Sequence, residues 1–160
     1  MRLLSPNFSV LEFCASEVAA RRGLDNAIPA ELIPNAVALG ENVLEPARAV
    51  LGPIRINSGY RSPGKDGLNR AIGGAFHSQH CLGQAADIIP LGNNVRLFDL
   101  FEYIYKNLPF DQLIWEFGSW VHVSYTPTPR GNALVAAMVP GKKRARYTEI
   151  TSEHFAQLSS

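Results

Sequence analysis

The chain has 160 residues, 46% of them hydrophobic, with 15 Lys and Arg against 14 Asp and Glu. That length and apolar fraction suit one folded domain over residues 1–160 and argue against a disordered chain. A net charge of +1 argues against a nucleic-acid binder, whose affinity rests largely on phosphate neutralisation.

Met1-Arg2-Leu3-Leu4 gives way to Ser5-Pro6-Asn7 and not to an apolar run, so no secretory signal is expected. No segment is long enough to span a membrane, and synthesis in the cytoplasm follows as an expectation. Ser9-Val10-Leu11-Glu12 has the form of a capping box, and helical spacing runs on to Arg22-Gly23, where the glycine is a stop. A second helical region covers about Pro29 to Leu51. In it Leu32, Val37, Leu39, Val43, Leu44 and Val50 line a buried face, and Pro34 marks a break or a new first turn. Ile54-Arg55-Ile56-Asn57 alternates like a strand and then breaks at Ser58-Gly59 and Ser62-Pro63. Arg61 is displayed on that loop, where a guanidinium can hold a substrate carboxylate or the oxyanion of a tetrahedral intermediate. Asn93 caps a third helix through Leu108, before Pro109. Strands follow at about Gln112 to Phe117, Trp120 to Tyr125 and Ala133 to Val139. Helices first and sheet later predicts an α+β fold, with N-terminal helices packed on a mainly antiparallel sheet. The basic cluster Lys142-Lys143-Arg144 with Arg146 reads as a solvated turn, and Cys14 and Cys81 as free thiols.

The chain has four histidines, and two of them stand in contexts that point to a metal. Between His80 and Asp87 lies Gly83, in a segment too rich in small residues for a stable helix, so the chain can bend and bring imidazole and carboxylate together. Asp87 falls in the apolar run Ala85-Ala86-Asp87-Ile88-Ile89, where an unpaired carboxylate is costly and metal coordination offsets the cost. His122 stands in Trp120-Val121-His122-Val123-Ser124-Tyr125, a strand whose alternation groups it with Trp120 and Ser124, opposite Val121 and Val123. Two imidazoles and one carboxylate make an open zinc site whose fourth position is left to a water. Glu116 precedes the turn-like Gly118-Ser119, and a hairpin there puts its carboxylate beside that water as general base. His77 reads as a surface residue, His154 as solvated and Trp115 as core. Trp120 is core or a wall of the cleft, and Ser78 either bonds substrate or shapes its turn. Cys81 faces away from His80, as neighbours on an extended segment do, which argues against a Cys-His nucleophile.

Ser58-Gly59-Tyr60-Arg61-Ser62, Leu68-Asn69 with Gly73-Gly74, Ser78-Gln79-His80 through Gly83 to Ala86-Asp87, and Trp120-Val121-His122 together resemble the zinc D-Ala-D-Ala carboxypeptidase family. More narrowly, they resemble its short bacteriophage and prophage peptidoglycan peptidases. Leu4-Ser5-Pro6-Asn7-Phe8-Ser9 and Asn42-Val43-Leu44-Glu45-Pro46-Ala47-Arg48 are also similar, so the likeness runs to about Tyr125. The resemblance implies a Hedgehog/DD-peptidase-like fold and one Zn2+ ion held by His80, Asp87 and His122. It gives Arg61 the role of contacting substrate and stabilising the intermediate. It also implies hydrolysis of a peptide bond in peptidoglycan stem peptides or cross-links, of carboxypeptidase or endopeptidase type. Such an enzyme is expected to be a monomer that serves phage lysis, reaching the wall in the periplasm or as part of a virion. Several relatives carry their acidic residue three positions before the last histidine, where this chain has Ser119. The Glu-Phe-Gly-Ser-Trp-Val-His arrangement is closer to the short phage-type members and keeps the base role with Glu116. Two other readings compete: a non-catalytic zinc-binding phage structural or wall-binding protein of the same fold, and a small-dipeptide hydrolase. A lost base or arginine favours the first and an occluding insertion the second; neither is seen in the sequence.

Overall fold

The computed structural model describes residues Met1–Ser160. Its chain begins with a short antiparallel ribbon, β1 (Leu3–Ser5) with β2 (Phe8–Ser9). Ser9 then caps α1 (Val10–Cys14), its Oγ accepting from the Glu12 amide at 3.1 Å. The helix expected to continue to Arg22 is instead two helices. The chain turns extended at Ala15, and the Ser16 Oγ accepts from the Ala19 amide to start α2 (Glu17–Arg22). A second N-cap residue inside the helical pattern is the physical reason for the break. Gly23 ends α2 in the left-handed conformation, as the sequence indicated.

The region from Pro29 to Leu51 is segmented too. A 3₁₀ turn (Ala30–Leu32) leads into α3 (Ile33–Leu39), a π-helical turn over Gly40–Leu44, and α4 (Glu45–Leu51). Pro34 stands in the first turn of α3, where a missing N–H is no loss, whereas Pro46 follows the π turn inside a continuous helical run and leaves one ladder bond unmade. The π turn carries one extra residue and rotates the helical phase. The buried stripe is Ile33, Ala36, Leu39, Val43, Leu44 and Ala47, and Val50, expected inside, is 60% exposed.

Six strands form the main sheet: β3 (Ile54–Ser58), β4 (Ala85–Pro90), β5 (Gln112–Glu116), β6 (Trp120–Ser124), β7 (Asn132–Met138) and β8 (Ala145–Glu149). Their order is β3-β4-β6-β5-β7-β8, antiparallel throughout except for the parallel β5–β7 pair. The fold is therefore α+β with a mainly antiparallel sheet. Between β3 and β4 lies the short α5 (Leu68–Ala71). Between β4 and β5 comes α6 (Leu97–Asn107), whose cap is Arg96 and not Asn93, because Asp99 reaches back to accept from the Arg96 amide at 2.8 Å. His154, read as merely solvated, lies in a C-terminal helix, α7 (Ser152–Ser159). Thr151 and His154 cap it reciprocally, and Phe155 packs against Phe98, Phe101 and Tyr105.

One sheet face carries Ile54, Ile56, Ala86, Ile88, Leu113, Val121 and Val123 onto Val43, Leu44, Ala47, Leu100, Phe101 and Ile104. Burying each large aliphatic or aromatic side chain of that layer contributes about 1.5–3 kcal/mol. The strand period of two then fixes what the other face shows: Asp87 between Ala86 and Ile88, and His122 between Val121 and Val123. No helix is long and apolar enough to cross a membrane.

Candidate metal centre

Register brings the proposed ligands together. Asp87 on β4 pairs directly with His122 on β6, and Glu116 on β5 pairs with Trp120, so all four share the face turned away from the helices. His80 arrives from the 3₁₀ turn Gln79–Leu82 just ahead of β4. The Ser78 Oγ caps that turn by accepting from the His80 amide, and Gly83 leaves it at φ 68°, a left-handed conformation that glycine adopts without penalty.

His80, Asp87 and His122 are 2%, 6% and 8% exposed. His80 Nδ1 lies 2.7 Å from the Gly59 carbonyl oxygen, which can only accept. The ring proton therefore sits on Nδ1, and the Nε2 lone pair faces the centre. Burial pushes the His80 pKa down, against the pull of Asp87, which favours the neutral form that ligates metals. Burial alone would raise the Asp87 pKa, but the two imidazoles more than reverse it and hold the carboxyl far below the usual carboxylate range. His80 Nε2 is 3.2 Å from His122 Nδ1 and 3.3 Å from Asp87 Oδ1, and His122 Nδ1 is 3.0 Å from Asp87 Oδ1. Ligands at about 2.0–2.1 Å around a tetrahedral zinc ion stand about 3.3 Å from one another. The triangle of donor atoms thus has the edges of one face of a zinc tetrahedron, and the residues fit the ion.

Glu116 and His122 do lie on one face, because the connecting turn preserves strand parity. The Ser119 amide donates to the Glu116 carbonyl at 2.9 Å, and Phe117 and Gly118 both have positive φ, 58° and 72°, as in the primed turns of hairpins. Glu116 is 8% exposed. Burial raises its pKa above the ordinary glutamate value, Asp87 adds to that, and His122 and Arg61 oppose it. Arg61 also reaches the site, but not as a free guanidinium. Its Nη2 donates to Asp87 Oδ2 at 2.7 Å and its Nε to the Ser58 Oγ at 2.9 Å. Sequence reasoning missed this pair, since 26 residues separate its members.

Around this centre runs a cleft whose lining includes Ser78, His77, Arg61, Trp120 and Phe117. Trp120 is therefore a wall of the cleft, whereas Trp115 packs edge-on against Phe98 and Phe101. His77 sits exposed on the rim and is not among the converging ligands, and both cysteines are free. Two features had no sequence signal. Asp111 accepts hydrogen bonds from Gln79 Nε2 at 2.9 Å and from Arg130 Nη2 at 2.7 Å, tying down the turn that carries His80. Tyr147, on β8, lines the same cleft.

No curated protein matches the chain. Residues 6–124 match the peptidase M15 family, a stretch that includes Arg61, His80, Asp87, Glu116 and His122. With well over half its length matched and a buried His-Asp-His group able to hold a metal ion, the chain belongs to the peptidase M15 family, that of the zinc D-Ala-D-Ala carboxypeptidases.

Proposed function

We propose that the protein, acting through residues 1–160 as one catalytic unit, is a zinc peptidase that cuts a peptide bond in bacterial peptidoglycan stem peptides or cross-links. The observation that carries this reading is the zinc-sized triangle of His80 Nε2, Asp87 Oδ1 and His122 Nδ1 beside a buried glutamate. Those three atoms are the proposed ligands of one Zn2+, which when bound supplies Lewis acidity to a water and to the scissile carbonyl. Glu116 accepts the proton of the attacking water and delivers it to the leaving amine. Its raised pKa suits both halves of that exchange. Arg61 holds Asp87 in place and, lining the cleft, turns its remaining donors to a substrate carboxylate or the developing oxyanion. Ser78 and Trp120 border the peptide. Family membership together with the motif likeness to short phage peptidases supports the D-amino-acid substrate class. That likeness also suggests a monomer acting in phage lysis, from the periplasm or from the virion.

Mass spectrometry of sacculi digested by wild type and Glu116→Gln tests the proposal. Wild type is expected to release new amine and carboxylate ends at one bond type. Glu116→Gln should lose roughly 10²–10⁴-fold in rate while keeping its zinc, the usual worth of a general base. A wild-type protein that binds zinc and leaves sacculi uncut would instead mark a wall-binding protein of the same fold.

A further inference from the structure

Beyond residue 124 the chain leaves the matched region and adds β7 and β8 to the sheet on the Glu116 side. Register sets three residues of this part in one row: Glu116 pairs with Ala136, and Ala136 with Tyr147. Paired residues share a face, and strands lie about 4.7–4.9 Å apart, so Tyr147 stands about 10 Å from Glu116 on the face of the site. The residue between them is an alanine. No large side chain stands in that row between them, and a tyrosine ring is long enough to lean over Ala136 toward Glu116. Ala136 is 2% exposed, although Ala137 and Met138 beside it on the same strand are open to solvent. Tyr147 lines the cleft together with Glu116, Trp120 and His122. Its phenol is pushed up first by burial and then by the charges of Glu116 and Asp87, with no hydrogen bond contributing. At the same time the residue is 51% exposed, which leaves the hydroxyl able to meet a ligand.

We propose that Tyr147 is a substrate-binding residue of this chain: its ring walls the Glu116 end of the cleft, and its hydroxyl donates to a carbonyl oxygen on the leaving-amine side of the scissile bond. That side follows from Glu116, which hands its proton to the leaving nitrogen. The inference rests on the peptidase reading given above. A neutral phenol is suited to this position, because a cation would pair with Glu116 and an anion would be repelled by it and by Asp87.

The test uses the zinc-loaded full chain and the soluble wall fragment that wild type cuts, comparing wild type, Tyr147→Phe and Tyr147→Ala. In a Glu116→Gln background, calorimetry reads equilibrium binding of the uncut fragment. Loss of a contact made equally in ground and transition states raises KM and leaves kcat nearly unchanged. Tyr147→Ala should raise KM and the dissociation constant together by roughly tenfold, and Tyr147→Phe by roughly threefold, as for one lost aromatic wall and one lost hydrogen bond. Zinc content and melting temperature should not move, since the residue is half exposed on an edge strand. Unchanged KM and binding, or a fall in kcat alone, overturns the inference. A wild-type protein that cuts no wall fragment removes the peptidase reading and this inference together. Cutting that is indifferent to both Tyr147 variants removes the inference only.

Discussion

Gly59→Ala links the fold to the metal centre. The Gly59 φ is not positive, so its requirement is space and not backbone conformation. A Cβ there would lie 2.3 Å from the Phe13 carbonyl oxygen and 2.5 Å from Phe13 Cδ2, where contacts below 3.0 Å essentially never occur. Relief of the first contact needs a shift of at least 3.0 − 2.3 = 0.7 Å. That shift pulls against the 2.8 Å bond from the Tyr60 amide to the same Phe13 carbonyl. Overpacking costs about 1–3 kcal/mol and a lost hydrogen bond about 1 kcal/mol, giving about 3 kcal/mol in all. For a chain of this size that lowers Tm by about 6–12 °C. The Gly59 carbonyl also accepts from His80 Nδ1, so displacing it disorients a ligand and should weaken zinc binding by about 10–100-fold. Urea unfolding of metal-free protein and zinc competition against a chromophoric chelator measure the two effects. Gly23→Ala is the control: its φ is 64° and nothing lies within 4 Å, so it should cost about 1–2 kcal/mol through conformation alone and leave zinc affinity unchanged. If Gly59→Ala is no less stable than Gly23→Ala and binds zinc normally, the steric argument is wrong.

Arg130 hydrogen bonds are the largest cause holding the Asp111 pKa down. A depressed carboxylate contributes stability that is fully present above the ordinary aspartate value of about 3.9 and is lost as pH falls through the lower folded value. Chemical denaturation should therefore show Asp111→Asn well below wild type at neutral pH, with the gap closing as pH drops under about 4; a gap that is constant with pH would contradict this. Ile88→Ala, in the fully buried layer behind Asp87, should lose about 2–5 kcal/mol by urea unfolding, and a loss under 1 kcal/mol would place Ile88 outside the core. Zinc supplied at about 1,000 times its dissociation constant should stabilise the metal-free protein by about 4 kcal/mol. A calorimetric melt that ignores zinc would mean that the ion does not bind the folded state.

The meeting of Asp87 and His122 was legible because each stood in a context that misfits its chemistry. Asp87 interrupts an apolar strand, and His122 alternates with valines, so a period of two sufficed to place both on the face away from the core. Gly118-Ser119 announced the hairpin that sets Glu116 beside them. What was not legible depends on long-range partners or on competing local signals. Ser16 competes with the helical pattern around it and wins as a cap. The π turn displaces Val50 from a face that an unbroken helix would have given it. Arg96 takes the cap position from Asn93 through a carboxylate three residues on. Strand β8 reads Ala-Arg-Tyr-Thr-Glu with four of its five residues exposed, a pattern without a hydrophobic face, and its place in the sheet comes from pairing with β7. The Arg61–Asp87 contact and the Asp111 network join distant segments that nothing local connects.

X-ray absorption at the zinc edge on protein loaded with one equivalent of zinc tests the central claim most directly. The account predicts a four-coordinate ion with two imidazole nitrogens and oxygen donors at about 2.0–2.1 Å, and a spectrum that loses one imidazole in His80→Ala and in His122→Ala. Zinc that keeps the wild-type spectrum in either variant, or that does not bind the wild-type protein at all, contradicts it.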